Sequence, residues 1–249
     1  PWYYKTGETM DIRVELLARM EYVMAMTFLP DNSMLAITRT GLINHINNGV
    51  VTNVAGGPES VFAGESGSPG TSHGYIDIAL HPDFARNQLI YLSYTKPMAN
   101  NPRGSVAIGR GRWKGSSIEN FADIFGGIGE TGGVSRIAFA NDGKLMLTTT
   151  GGGDPQALDN IAGKVLRLND DGSIPADNPF VNTPGARGEI YSYGHRSALG
   201  LAIHPVTGAI WQDENGPNGG DEINIIEAGK NYGWPVASLG RTYQGPWQS

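Results

Sequence analysis

Four stretches of this chain repeat one pattern of apolar and polar positions: MTFLPDNSMLAIT from Met26, IALHPDFARNQLIYLSY from Ile78, IAFANDGKLMLTT from Ile137 and LAIHPVTGAIWQD from Leu201. Each is an apolar run, a polar turn and a second apolar run, and the four begin roughly 50 to 65 residues apart. Runs such as Leu145-Met146-Leu147-Thr148 and Ile90-Tyr91-Leu92-Ser93-Tyr94 have the length and residue types of strands. Asp31-Asn32, Asn141-Asp142-Gly143 and Thr207-Gly208 supply the turns, since Asn, Asp and Gly tolerate the backbone angles of tight hairpins. No strong helix candidate is present. ETMDIRVELLARM near the start approaches helical spacing and reads equally well as a strand, DIRVELLARM, opening or closing the array. The pattern predicts an all-β fold.

A strand-turn-strand unit recurring at this period predicts a β-propeller, and a β-sandwich with similar hairpins is the alternative. A propeller protects its edge strands by joining its last blade to its first. Four units fill 249 residues, so either the ring has four to five blades or the chain stops before a larger ring is complete. The expectation is a single propeller domain over residues 1–249, incomplete at its C-terminal end. The 36 glycines, about twice the ordinary share, suit many short strands joined by tight turns.

Charge narrows the partners. A net charge of −6 with no basic stripe argues against nucleic acid, and no apolar run approaches the roughly 18–20 residues of a membrane span. The amino terminus, PWYYKTGETMDIRVE, lacks a signal-peptide layout. With no cysteine, disulfides and thiolate metal sites are ruled out, which fits the bacterial periplasm as well as the cytosol.

Four segments in order carry a resemblance: HPDFARNQLIYLSYT, GKVLRLNDDGSIPADNPF, EIYSYGHRSALGLAIHP and ENGPNGGDEINIIEAGKNYGWP. Together, from about residue 22 to residue 245, the chain resembles the soluble, pyrroloquinoline quinone (PQQ)-dependent glucose/sorbosone dehydrogenases, also called aldose sugar dehydrogenases. The resemblance implies a six-bladed β-propeller of four-stranded blades, of which about four are present here. It implies PQQ and calcium, a periplasmic or secreted location, an external electron acceptor, and oxidation of an aldose at its anomeric carbon to a lactone.

By that resemblance Arg196 contacts the quinone, with Ser197, Tyr243 and Ser72 at further cofactor positions. A guanidinium beside reactive carbonyls stabilises developing negative charge and does not lose its proton. The glycines of Gly216-Pro217-Asn218-Gly219-Gly220 suit calcium, a hard cation that takes oxygen ligands, because glycine lets main-chain carbonyls turn inward. Gly216 and Pro217 then face the calcium that bridges to PQQ, and Glu222 with Tyr232 holds a second ion.

Four departures set this chain apart. The family's general-base histidine is absent from Gly132-Gly133-Val134-Ser135-Arg136. The aspartate that orients it corresponds to Gly151, with Asp154 three residues on, and the PQQ-contacting glutamine falls on Ser72. His73 is the one weak candidate for a replacement base, while His81 and His204 occupy structural His-Pro turns. Ser197-Ala198-Leu199-Gly200 replaces the family's Asn-Pro-Gln-Gly. General-base catalysis is commonly worth a factor of about 10²–10⁴. The alternative to a dehydrogenase is therefore a catalytically degenerate propeller acting as a binding or interaction module.

Overall fold

The computed structural model describes residues 1–8, 10–62, 74–126, 136–150, 153–241 and 243. Ser72, His73, Gly132 to Ser135 and Gly151 lie outside the described residues. Four antiparallel sheets follow one another along the chain, arranged as a β-propeller, each a meander in which sequential strands pair. The first contains β3 (Val23–Phe28), β4 (Met34–Thr38), β5 (Ile43–Asn47) and β6 (Val50–Val54). The second contains β7 (Tyr75–Leu80), β8 (Leu89–Met98), β9 (Asn101–Trp113) and β10 (Ile118–Gly126), and the third β11 (Ile137–Phe139), β12 (Leu145–Thr148), β13 (Lys164–Leu168) and β14 (Ile190–Tyr193). The fourth, β15 (Ala198–Ile203), β16 (Ile210–Glu214) and β17 (Glu222–Ile226), has three strands among the described residues rather than the expected four.

Period-two alternation explains how the sheets stack. In β12, Leu145 and Leu147 point into the core shared with the second sheet, whereas Met146 points into the core shared with the fourth. In β8, Ile90, Leu92 and Tyr94 join the core under the first sheet while Tyr91 joins the one under the third. Both faces of these central strands are buried, so their sequences read as continuous apolar runs rather than alternating ones. Leu145, Met146 and Leu147 are wholly buried. Truncating Leu147 to alanine is expected to cost about 2–5 kcal/mol.

The first strands of successive sheets pack side by side: β3 on β7, β7 on β11 and β11 on β15. The three predicted turns form as expected, each closed by a main-chain bond across its base: Leu29 to Ser33, Ala140 to Lys144 and His204 to Ala209. Asn32, Gly143 and Gly208 take the left-handed conformation there. The His81 turn differs in carrying a single-turn helix, α1 (Phe84–Asn87).

One expectation is corrected. DIRVELLARM neither opens nor closes a sheet of the array; only Asp11–Val14 is extended (β2), and it pairs with β1 (Trp2–Lys5) in a separate hairpin. That hairpin leaves Trp2, Tyr4, Ile12 and Val14 exposed, so no packing selects a longer strand. The first sheet begins instead at Val23.

Candidate functional site

Because neighbouring strands run in opposite directions, the start of β15, the end of β16 and the start of β17 meet at one end of the fourth sheet. The register places Ala198 opposite Glu214 and Glu214 opposite Glu222. Arg196 and Ser197 lead into β15, and residues 215–221 join β16 to β17. The third sheet contributes to the same end through Gly194 and His195, which follow β14.

A sealed polar network lies beneath this end. His195 and Ser192 are fully buried and Glu214 nearly so. His195 Nδ1 lies 3.3 Å from Glu214 Oε1 and its Nε2 2.9 Å from Ser192 Oγ. Glu214 Oε2 accepts the main-chain N–H of Arg196 at 2.6 Å, and the Asn224 amide donates to Glu214 Oε1 and to Gln212 Oε1, both at 3.1 Å. The imidazole stacks on Tyr232 with ring centroids 4.7 Å apart. A serine, a histidine and a carboxylate in series suggest a nucleophile, but a nucleophile has to reach its substrate. With neither Ser192 nor His195 exposed, the network is a scaffold that fixes the chain entering Arg196.

Above it the Arg196 guanidinium is held by three groups. Its Nη1 donates to Asn215 O at 2.9 Å, its Nη2 donates to Tyr243 Oη at 3.3 Å, and it lies over the Trp234 ring at 5.4 Å and the Tyr243 ring at 5.9 Å. Of the five N–H donors of an arginine side chain, two are engaged among the described residues. The structure thus brings Arg196 and Tyr243 together. It adds Trp234, which the residue-by-residue reading missed although it lies in the quoted GKNYGWP.

The 216–220 loop packs tightly on glycine. A Cβ at Gly216 would stand 2.0 Å from Gly219 O, and the Gly216 N–H donates to Asp221 Oδ1 at 2.9 Å. Asn218 pairs with Arg241, tying the loop to the segment that carries Tyr243. Glu222, facing Glu214 across the register, shares Asn224 with it; burial, and then the Glu214 charge, push the Glu222 carboxyl above its ordinary value. Glu214 is already engaged by the Arg196 N–H, His195 and Asn224, so of the two carboxylates Glu222 is the one with capacity left for a hard cation. The Tyr232 hydroxyl is committed elsewhere, donating to Ile225 O at 2.7 Å and accepting from Glu227 N at 2.9 Å. No cluster of three or more His, Cys, Asp or Glu positioned for a metal is present among the described residues.

Other expected residues fall differently. The Asp154 carboxylate closes a turn by accepting the Gln156 N–H at 2.8 Å. Ser197 sits at the site through its backbone, which bridges to Thr150 and accepts from Asn215 N at 3.3 Å. Three histidines lie toward the opposite end of the sheets, His81 and His204 in turns and His45 bonded to Ser33 of the β3–β4 turn. Among the described residues no solvent-reachable histidine stands beside Arg196.

A family model described as glucose/sorbosone dehydrogenase matches residues 20–249. The chain belongs to this family. It is 38% identical to aldose sugar dehydrogenase YliI of Escherichia coli over 94% of the chain and 64% of that relative. The apo structure of the soluble E. coli aldose sugar dehydrogenase superposes with a TM-score of 0.80 at 37% identity, covering 89% of this chain and 65% of that one. The PQQ-bound form of an aldose sugar dehydrogenase from Streptomyces coelicolor superposes with a TM-score of 0.75 at 29% identity, covering 94% and 69%. The chain therefore spans a little under two thirds of the E. coli relative's length. No helix among the described residues of this family member is long and apolar enough to cross a membrane.

Proposed function

We propose that this chain belongs to a PQQ-dependent dehydrogenase that oxidises an aldose at its anomeric carbon to a lactone. The observation that carries the reading is Arg196, a cation with donors uncommitted among the described residues, flanked by Trp234 and Tyr243 beside the 216–220 loop. Flat aromatic walls and a planar guanidinium suit a planar, anionic cofactor, and a family relative is known in a PQQ-bound form. When bound, PQQ supplies the hydride-accepting quinone and calcium the polarising Lewis acid. Arg196 would orient the acceptor carbonyls and stabilise the negative charge that builds there. Trp234 and Tyr243 exclude water from one side. The Gly216 and Pro217 carbonyls would hold calcium beside the cofactor, and Glu222 with Tyr232 would hold a second ion. Ser197 and Ser72 are secondary cofactor contacts. The reading carries with it a single propeller domain, a periplasmic or secreted location and an external electron acceptor.

A second reading has its own support. No described histidine can act as base beside Arg196, and residues 132–136 lack the family's histidine. His73 is the remaining candidate, and without it a propeller that binds PQQ or a sugar without turnover is favoured. The test is titration of the calcium-loaded protein with PQQ, followed by dye reduction with a panel of aldoses. Saturable binding with turnover supports the dehydrogenase; binding without turnover supports the degenerate module; no binding overturns both PQQ readings. Turnover left unchanged by His73→Ala excludes His73 as the base.

A further inference from the structure

We propose that Trp234 is a positioning residue for Arg196, fixing the guanidinium before any ligand arrives; the consequence for cofactor affinity rests on the PQQ reading above.

Arg196 carries a long side chain with four rotatable bonds, and its polar restraints are few among the described residues. One is the Asn215 carbonyl, the other the hydroxyl of Tyr243, which is itself 67% exposed. Such a side chain samples several rotamers unless a surface beneath it selects one. Trp234 supplies that surface, with its ring centroid 5.4 Å from the guanidinium carbon.

Trp234 can do this because its own backbone is held on both sides. Its N–H donates to Gly194 O at 2.8 Å, and its carbonyl accepts from Gln156 Nε2 at 2.6 Å. Gln156 in turn exchanges two hydrogen bonds with Asn231, at 2.7 and 3.1 Å. Gly194 stands two residues before Arg196, and a Cβ there would approach Asn231 Oδ1 to 2.2 Å. Only glycine lets the two segments approach this closely. Arg196 is fixed from the other direction by its N–H on Glu214. Ring and guanidinium are thus mounted on two segments clamped at one point, so the stacking geometry is built into the chain.

A cation held in place needs no reordering when an anionic, planar group arrives, and binding is stronger for it. Removing the ring while keeping the charge is expected to weaken PQQ binding about tenfold, the ordinary range for a partly desolvated cation–π contact. Phenylalanine, which keeps an aromatic face, is expected to retain most of the affinity.

The experiment uses the full-length protein in two arms. In the cofactor-free arm, the Arg196 Nε–Hε resonance, assigned by its loss in Arg196→Ala, is followed by NMR in wild type, Trp234→Leu and Trp234→Phe. The expected result is a sharp, shifted signal in wild type and Trp234→Phe that collapses toward the exposed-arginine position in Trp234→Leu, with thermal midpoints unchanged. An Arg196 signal identical in wild type and Trp234→Leu overturns the positioning role. In the second arm, PQQ affinity is measured by titration in wild type, Trp234→Leu, Arg196→Ala and the double variant. The expected result is a tenfold loss for Trp234→Leu that disappears in the Arg196→Ala background. Equal losses in both backgrounds overturn the inference and leave the PQQ reading intact. Failure of wild type to bind PQQ sinks that reading, and the first arm still decides the positioning role.

Discussion

Arg136 and Asp77 meet where β7 adjoins β11, Nη1 to Oδ1 at 3.8 Å, and through this pair one side chain reaches all four first strands. Arg136 immediately precedes β11. It also donates to Leu199 O in β15 at 3.0 Å, and to Met24 O in β3 and Ile76 O in β7, both at 3.3 Å. The Asp77 carboxylate takes the N–H groups of Ile78 and Ile137, each at 2.9 Å.

Arg136→Met is therefore expected to destabilise the protein by about 2–3 kcal/mol, since it strands the carbonyls of Met24, Ile76 and Leu199 and leaves the partly buried Asp77 carboxylate without its cation. Asp77→Asn in the Arg136→Met background should restore part of the loss by removing the unpaired charge. Urea unfolding of the two single variants and the double variant measures both effects, and equal stabilities for Arg136→Met and wild type would refute the keystone role.

Acid sensitivity should centre on Arg167. It donates to Asp142 Oδ2 at 2.8 Å, to both carboxylate oxygens of Asp177 at 2.9 and 3.0 Å, and to Asn178 Oδ1 at 2.9 Å. Burial pushes the Asp142 carboxyl up, but the hydrogen bond and charge of Arg167 outweigh it; for Asp177 the hydrogen bond from Arg167 leads. Both carboxyls fall below the ordinary value of 3.8. Groups with a depressed folded pKa stabilise the fold above the unfolded value, and the contribution is lost as pH falls through the folded one. The stability gap between wild type and Arg167→Met should be constant near neutrality and narrow as pH drops from about 5 to about 2. Thermal melts across that range check it, and a gap that widens would contradict the assignment.

In Gly216→Ala the added methyl would meet Gly219 O at 2.0 Å, and the far side of Gly219 is already closed by Gly240, where a Cβ would stand 2.2 Å from the same oxygen. The loop has to open, at a cost of about 1–3 kcal/mol. If the loop holds calcium, the variant should also lose the rise in thermal midpoint that calcium gives the wild type. Melts with calcium and with chelator separate the two effects, and a calcium response kept in full would remove Gly216 from the ion site.

What could be read from the sequence follows from where packing selects. Strands β4, β8 and β12 are buried on both faces, so their apolar runs and the Asn and Gly turns between them were visible without coordinates. DIRVELLARM was ambiguous because it packs on little, and exposed chain leaves a weak periodic signal. Arg196 and Tyr243 were singled out through the family's motif order, and the structure brings them within 3.3 Å. The network of Ser192, His195 and Glu214 was not found. It depends on the Ala198–Glu214 register, which spacing alone does not reveal. Trp234 could have been found from NYGWP, since an aromatic ring beside a turn near a candidate arginine is a natural stacking partner.

The same register argument makes Glu214 the residue on which the site's floor depends. Glu214→Ala removes the acceptor for the Arg196 N–H and a partner of His195 and of Asn224, all in a buried setting. The cost should be about 3 kcal/mol or more, because the stranded donors have no water to turn to. Glu214→Gln keeps an oxygen for the Arg196 N–H and should cost distinctly less. It also removes the like charge facing Glu222, so the Glu222 carboxyl should return toward its ordinary value, the burial contribution remaining. Urea unfolding ranks the variants, and the Glu222 carboxyl carbon resonance followed against pH in wild type and Glu214→Gln reports the shift. A Glu222 titration unmoved by Glu214→Gln would mean that the two carboxylates do not sense each other.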